Sequence, residues 1–243
     1  PDGKLLATAA GHWQTNDDMT ARLWDAETGN LIGVLEGHTA SVRHTAFHPD
    51  GAVMATSSHD GTVRIWDAKC GQELIRSVRH DIGPSGYSSV LSASWSPDGR
   101  LFASSGLDGT IRVWDAEGTR EVSRLIGHAA GSTGDPIVWS VSWSPNSRQL
   151  VSSGVDGTLR VWNVRDGQAV ARLTGHEAGA SGDPCVFGAS WSPDGRLLAS
   201  GGADGTVRLW DAQGGQEVAK LVGHSTGPSG DHRVWRVCWC PDG

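Results

Sequence analysis

The chain has 243 residues, of which 37% are hydrophobic and 19% are charged, and it contains 34 glycines and 12 tryptophans. This composition is too apolar for a disordered chain, and no apolar stretch reaches the roughly 18 residues of a membrane-spanning helix. The 20 Lys and Arg residues against 27 Asp and Glu residues give a net charge of -7. Because a phosphate backbone repels such a chain, the sequence predicts no nucleic-acid partner, and it predicts no membrane partner either.

A short turn motif returns at a constant spacing of 48 residues along the whole chain. It reads Pro-Asp-Gly, with one copy changed to Pro-Asn-Ser, and begins at Pro1, Pro49, Pro97, Pro145, Pro193 and Pro241. A fixed period of this length indicates stacked units that each need a neighbour to bury their hydrophobic face. The sequence therefore predicts five repeated units.

The predicted elements within a unit are short strands joined by tight turns. In the stretch 90–114, three alternating runs rich in β-branched and aromatic residues flank Pro97-Asp98-Gly99 and Asp108-Gly109. Asp-Gly between two such runs is typical of a hairpin with a two-residue turn. Since no segment carries apolar residues at helical spacing, we expect an all-β fold.

Two further motifs recur once in each unit. The first is Gly-His, at Gly37-His38, Gly127-His128, Gly175-His176 and Gly223-His224, with Arg79-His80 as a variant. The second is Trp-Asp, at Trp24-Asp25, Trp66-Asp67, Trp114-Asp115 and Trp210-Asp211, with Trp162-Asn163 as a variant. Together with Pro-Asp-Gly and Asp-Gly-Thr, these motifs resemble the WD40 repeat over essentially residues 1–243. The resemblance implies a β-propeller in which each unit forms one four-stranded antiparallel blade.

The ends of the sequence leave the number of blades open. One blade is predicted to be split between residues 1–36 and a C-terminal strand within 224–243, formed by Val234 to Cys240. His224 could then complete the partial blade that carries Thr8, Asp18 and Trp24, which would close a ring of five. The favoured alternative is that the chain is part of a larger chain or complex, with a ring of about seven blades.

The resemblance also implies a hydrogen-bonded set of His, Ser or Thr, Asp and Trp that locks each blade. A buried indole N–H needs an acceptor, a hydroxyl can accept from it while bonding an imidazole, and a carboxylate can orient that imidazole. The matching sets are His38, Thr56, Asp60, Trp66; His80, Ser104, Asp108, Trp114; His128, Ser152, Asp156, Trp162; and His176, Ser200, Asp204, Trp210.

Each set contains the residue types of a catalytic triad, but we interpret all of them as structural. An enzyme needs one activated nucleophile, whereas a brace is needed in every blade. The run Gly223–Gly227 matches a nucleophile-elbow motif around Ser225, yet no helix is predicted after it. The sequence thus predicts no catalytic residue, no cofactor and no metal site. Arg22, Arg64, Arg112, Arg160 and Arg208, each two residues before a Trp of a set, are likewise expected to be structural.

Four units carry six extra residues after the repeat His, in loops that begin at residues 81, 129, 177 and 225. In WD40 blades this connection opens on the same face of the ring as the turn that holds the Asp. Asp135, Asp183 and Asp231 in these loops are interpreted as turn residues rather than cation ligands. The extra loops are therefore expected to crowd one face.

Subtracting the repeated tryptophans leaves Trp13, Trp139 and Trp235. The last two lie six residues before the repeat Pro, a position that in WD40 proteins faces the rim of the central channel on the loop-rich face. The predicted partner-binding rim consists of Arg43, His59, Leu91, Leu107, Trp139, Val155, Phe187, Arg233 and Trp235. Large aromatic residues and arginines dominate binding hot spots. The alternative is that Trp139 and Trp235 pack under the inserted loops.

These observations predict a non-catalytic scaffold that binds a protein or peptide segment on its loop-rich face. A repeat or sensor region of a larger NTPase-type signalling protein is the alternative, and a propeller enzyme is disfavoured because every His, Ser and Asp cluster is repeated. Four cysteines without a Cys-x-x-Cys pair predict free thiols, and hence a cytoplasmic location.

Overall fold

The structure is a computed structural model that describes residues 2–10, 18–179, 182–224 and 232–240. These residues form nineteen strands in five antiparallel sheets, and no helix occurs among them. It follows that the described part of the chain contains no helix long and apolar enough to cross a membrane. The predicted all-β class is confirmed.

In every sheet the strands follow each other in chain order, as expected for consecutive hairpins. The first sheet has three strands, β1 (Leu5–Ala9), β2 (Ala21–Asp25) and β3 (Leu31–Leu35). The second comprises β4 (Val42–Phe47), β5 (Val53–Ser58), β6 (Thr62–Asp67) and β7 (Glu73–Arg79). The third comprises β8 (Val90–Trp95), β9 (Leu101–Gly106), β10 (Thr110–Asp115) and β11 (Glu121–Ile126).

The last two sheets repeat the same plan. The fourth comprises β12 (Val138–Trp143), β13 (Gln149–Gly154), β14 (Thr158–Asn163) and β15 (Ala169–Thr174). The fifth comprises β16 (Val186–Trp191), β17 (Leu197–Gly202), β18 (Thr206–Asp211) and β19 (Glu217–Val222). Four of the five sheets therefore have the four strands expected of a WD40 blade.

The hairpin at Asp108-Gly109 differs from the two-residue turn that the sequence predicts. β9 ends at Gly106 and β10 begins at Thr110, so three residues lie between the two strands. The Gly109 N–H bonds the Gly106 carbonyl oxygen at 3.4 Å, and Gly109 has a φ of +76°. A turn followed by a residue in the left-handed region is the usual three-residue hairpin, and glycine adopts that conformation without a steric penalty.

The hydrophobic core lies between neighbouring sheets rather than within any one of them. One cluster joins Ile111 and Leu125 of the third sheet to Val138, Leu150 and Trp162 of the fourth, and all five side chains are buried. Equivalent clusters join the first sheet to the second, the second to the third and the fourth to the fifth. Each unit thus buries its apolar face only against a neighbour, as its period predicts.

The first strands of the four complete sheets, β4, β8, β12 and β16, line a common cavity of about 190 Å³, which we call the channel. Residues 232–240 line it too, beside β16. There the Val234 N–H bonds the Gly202 carbonyl oxygen at 3.1 Å, and the Trp239 indole N–H bonds the Ser190 carbonyl oxygen at 3.2 Å.

The strand predicted for Val234 to Cys240 is not formed. Residues 232–240 occupy the place of an inner strand, but they are held by a few separate contacts instead of a continuous ladder. Among the described residues β1 pairs with β2 alone. His224 is exposed and makes no hydrogen bond with Thr8 or Asp18 within the described residues. Whether the ring has five blades or about seven stays a prediction.

Candidate functional site

Each of the four complete sheets contains the hydrogen-bonded set that the resemblance implies. In the third sheet, His80 Nδ1 lies 2.9 Å from Asp108 Oδ1 and His80 Nε2 lies 2.8 Å from Ser104 Oγ. The Trp114 indole N–H donates to Ser104 Oγ at 3.1 Å. The same three contacts recur in the second, fourth and fifth sheets at 2.7–3.0 Å.

The donors and acceptors of a set form a single directed chain. The indole N–H of Trp114 must donate, so Ser104 Oγ accepts and turns its own hydrogen toward His80 Nε2. His80 Nδ1 then carries the proton that it donates to Asp108. Burial alone would raise the pKa of the Asp108 carboxyl, but the hydrogen bonds from His80 and Thr110 outweigh burial and hold the pKa well below its usual range.

The sequence missed one member of these sets. Thr110, which follows Asp108-Gly109, donates its hydroxyl hydrogen to Asp108 at 2.9 Å, and Thr62, Thr158 and Thr206 do the same in the other three sheets. The recurring Asp-Gly-Thr motif carried this signal. In the first sheet, Thr8 accepts from the Trp24 indole at 2.9 Å and Asp18 bonds Thr20.

The serines of these sets are inaccessible. The Ser104, Ser152 and Ser200 side chains are 0% exposed, and each hydroxyl is already engaged by an indole N–H and an imidazole. The Thr56 hydroxyl of the second sheet is enclosed in the same way. Since a catalytic nucleophile must reach a substrate in an open pocket, none of these four hydroxyls is placed to attack one, and we call the four sets braces.

Four of the five repeated arginines have carboxylate partners. Arg22 pairs with Asp18, Arg64 with Glu73, Arg112 with Asp81, Asp108 and Glu121, and Arg208 with Asp204 and Glu217. Within the described residues Arg160 has no such pair, and Ala169 stands where the other three complete sheets carry glutamate. The sequence shows that Ala169 replaces a repeated glutamate, but the consequence for Arg160 follows only from the observed arginine–glutamate pairs.

The inserted loops are bonded to each other. Ser85 N–H of one loop donates to Asp135 Oδ1 of the next at 2.9 Å, and Ser132 donates its N–H and hydroxyl hydrogen to Asp183 at 3.0 and 2.6 Å. These two carboxylates therefore order neighbouring loops, which accords with their interpretation as loop residues. Asp231, Ser225 and Trp13 lie outside the described residues.

The structure brings most of the predicted rim together at one end of the channel. A cavity of about 250 Å³ lies there, and we call this cavity with its lining residues the channel mouth: Arg43, Leu91, Trp139, Phe187, Trp235 and Arg236. Five of the six were predicted, and the sixth, Arg236, directly follows the predicted position of Trp235. Leu91 and Phe187 are buried, whereas Trp235 is 50% exposed.

Three aromatic rings form one cluster in the channel mouth. The ring centroids of Phe187 and Trp235 are 4.3 Å apart, those of Trp139 and Phe187 are 5.3 Å apart, and those of Trp139 and Trp235 are 6.4 Å apart. The Arg233 guanidinium lies 5.8 Å from the Trp235 centroid and 6.0 Å from that of Phe187, within the range of a cation–π contact. Trp235 thus stays half exposed although Phe187, Trp139 and Arg233 lie around its ring.

The other predicted rim residues do not line the channel mouth. Val155 is buried with Cys185, Phe187 and Ala203 and supports the aromatic cluster from below. His59 is bonded to Ser89 Oγ at 2.7 Å through Nδ1. Leu107 lies partly buried in the turn before Asp108. These side chains belong to the layer beneath the inserted loops.

The chain was compared with known proteins. The profile of the family described as "WD domain, G-beta repeat" matches residues 29–67, 76–115, 119–163 and 167–211, which is more than half of the chain. A Denticleless protein homolog of Danio rerio is 40% identical over 74 residues, which are 30% of this chain and 10% of that protein. Mitochondrial division protein 1 of Pyricularia oryzae is 43% identical over 67 residues, which are 28% of this chain and 9% of that protein.

The matched segments span only about a tenth of these relatives, so the likeness concerns the repeats alone. The repeat profile nonetheless agrees with the five sheets, the four complete braces and the cores between sheets. The chain belongs to the WD40-repeat family of β-propeller proteins.

Proposed function

We propose that this protein is a non-catalytic scaffold that binds a peptide or protein segment at the channel mouth. The observation that carries the proposal is Trp235, which is 50% exposed although it belongs to a cluster of packed aromatic rings. Seven of the nine repeated tryptophans are at most 8% exposed, and the other two, Trp24 and Trp239, are partly buried. An aromatic side chain held rigidly at the edge of a concave surface loses little entropy on binding, which is why such residues dominate hot spots.

The location of Trp235 adds further support. It lies at the end of the channel where the first strands of the complete sheets meet, beside Leu91 and Phe187. The braces around the channel hold these strands in place, so a partner would meet a preformed surface. A pocket of about 250 Å³ accepts one or two side chains, which suits a short segment better than a large ligand.

A peptide-display selection tests this proposal. Random peptides are selected on the wild-type protein, and the affinities of the enriched peptides are measured by calorimetry for wild type, Trp235→Ala and Val170→Ala. Val170 is 54% exposed on β15, so its variant removes an equally exposed apolar side chain away from the channel mouth. We expect Trp235→Ala to weaken binding at least about 30-fold, a hot-spot effect of about 2 kcal/mol, and Val170→Ala to leave it unchanged.

Two results would contradict the proposal. If the selected peptides bind Trp235→Ala as tightly as wild type, or if selection enriches none, the channel mouth is not a peptide site. The cytoplasmic location and the placement within a larger signalling chain stay predictions.

A further inference from the structure

Two guanidinium groups of the channel mouth have no carboxylate partner among the residues that the structure describes. Arg43 is the second residue of β4 and Arg236 lies in the segment beside β16. Both line the channel mouth and keep part of their surface exposed to solvent. Burial, and then repulsion by Arg43, lowers the pKa of Arg236. Two like charges are therefore held close together without compensation.

This arrangement is unusual for the molecule. The chain has seven more acidic than basic residues, and four of its five repeated arginines are paired with Asp or Glu. At the position of Arg236 the other units carry His44, Ser92, Ser140 and Gly188. Arg236 therefore has no counterpart in the other units. It repels Arg43, and no requirement of the fold explains why the two cations are placed together.

The surface below the two arginines offers further hydrogen-bond donors. The channel is lined by hydroxyl groups of β8, β12 and β16, by His44 and by Arg236, and among the described residues no carboxylate lines the channel or its mouth. Burial, and then the charge of Arg236, lowers the pKa of His44 to about 4. His44 is therefore neutral near pH 7, and since its Nδ1 accepts from the Ala93 N–H at 3.4 Å, its Nε2 carries a proton.

We infer that the channel mouth recognises an acidic peptide: the carboxylate of a Glu or Asp side chain lies between Arg43 and Arg236, and a neighbouring apolar side chain packs on Trp235. The inference rests on the proposed function and names its partner chemistry. A carboxylate accepts charge-assisted hydrogen bonds from two guanidinium groups and removes their mutual repulsion. The aromatic cluster of the same pocket, with Phe187 and Trp235 rings 4.3 Å apart, offers the apolar surface for that neighbouring side chain.

The experiment compares three pools of synthetic peptides with both ends capped. The pools are identical except for one central residue, which is Glu, Gln or Lys, and a randomised apolar residue follows it. Binding to the wild-type protein is measured by fluorescence anisotropy at low and high salt. We expect the Glu pool to bind about tenfold more tightly than the Gln pool at low salt, the Lys pool to bind weakest, and salt to reduce the difference.

Matched variants separate charge from apolar contact. Arg43→Gln and Arg236→Gln should weaken the Glu pool about tenfold and leave the Gln pool unchanged, whereas Trp235→Ala should weaken both pools. Arg196→Gln is the control, because the Arg196 side chain is 85% exposed beside Asp194, away from the channel mouth. Because Arg43 and Arg236 repel each other, neither substitution should lower the melting temperature.

Failure of the acidic-peptide inference can be distinguished from failure of the proposed function. Equal binding of the Glu and Gln pools, with both lost in Trp235→Ala, overturns the acidic-peptide inference and leaves the proposed function intact. Binding of all pools unaffected by Trp235→Ala, or no binding by any pool, overturns both. A fourth pool with central Gln and a free C-terminal carboxylate tests the source of the charge: if it binds as tightly as the Glu pool, the site accepts any carboxylate, which overturns its assignment to a Glu or Asp side chain.

Discussion

The braces and the channel mouth both contain tryptophan and charged side chains, but the two regions use them for opposite purposes. In the braces, a tryptophan, a hydroxyl, a histidine and an aspartate satisfy one another completely, and the hydroxyls are 0% exposed. At the channel mouth, Trp235 is half exposed and Arg43 and Arg236 lack a carboxylate within the described residues. Repeated, satisfied groups maintain the fold, whereas groups that occur once and remain unsatisfied are those available to a partner.

The same substitution in the two regions should give the largest difference. Trp114 is 8% exposed, its indole donates to Ser104, and its ring lies 6.3 Å from that of Phe102. We expect Trp114→Ala to cost about 4 kcal/mol of unfolding free energy, and Trp235→Ala to cost less than about 1 kcal/mol. Denaturant titrations followed by circular dichroism measure both values. Equal losses would show that Trp235 also serves the fold.

Removing a carboxylate of a brace should have the next largest effect. Asp108→Ala leaves the His80 Nδ1 proton and the Thr110 hydroxyl unsatisfied and removes one partner of Arg112, so we expect a cost of about 3 kcal/mol. Asp50→Ala is the control, because the Asp50 side chain is 60% exposed and its loss should cost less than about 1 kcal/mol. A thermal melt in which both variants behave alike contradicts the assignment of Asp108 to a brace.

Acid should weaken the protein through buried histidines near the channel. Burial lowers the pKa of His44 and that of His59 to about 4, with Arg236 and Arg43 adding to the respective shifts. The native protein then binds fewer protons than the unfolded chain, so stability is full above pH 6.5 and is lost as the pH falls toward 4.

We expect the melting temperature to fall by roughly 5 °C across this range and by less in His44→Gln, which cannot titrate. Scanning fluorimetry over a pH series measures the slope. An unchanged slope in His44→Gln indicates that His44 is protonated in the native state as readily as in the unfolded chain.

The smallest expected effect comes from adding an ion pair beside a brace. Ala169 pairs with Trp162 at the position where Glu73, Glu121 and Glu217 pair with the tryptophans of their own sheets. Ala169→Glu should give Arg160 a carboxylate partner and raise stability by about 0.5 kcal/mol. Glu121→Ala, which removes the same contact from the third sheet, should lower stability by a similar amount. If Ala169→Glu destabilises the protein, Arg160 is held in a different environment.

Much of the fold could be predicted because each of its features is repeated. The four braces were located from offsets alone, since each uses the same spacing from its histidine, and Trp139, Phe187 and Trp235 were placed together because they share one offset. A motif that is weak evidence in one unit becomes reliable when it recurs at the same spacing in every unit.

What the sequence did not predict depends on contacts between units. The segment Val234 to Cys240 carries the alternation of a strand, but a strand also requires a continuous partner, and within the described residues β1 pairs only with β2. Arg236 was not predicted because its importance comes from sharing the channel mouth with Arg43, which lies 193 residues earlier in the sequence. The bonds from Ser85 to Asp135 likewise join different units. Such pairings cannot be read from one unit at a time.

The most direct test of the division between the two regions is to measure peptide affinity and melting temperature together in Trp235→Ala. The account predicts that a peptide selected on the wild-type protein loses affinity at least about 30-fold while the melting temperature stays within about 2 °C of wild type. Unchanged affinity, or a melting temperature lowered as much as in Trp114→Ala, would contradict the account.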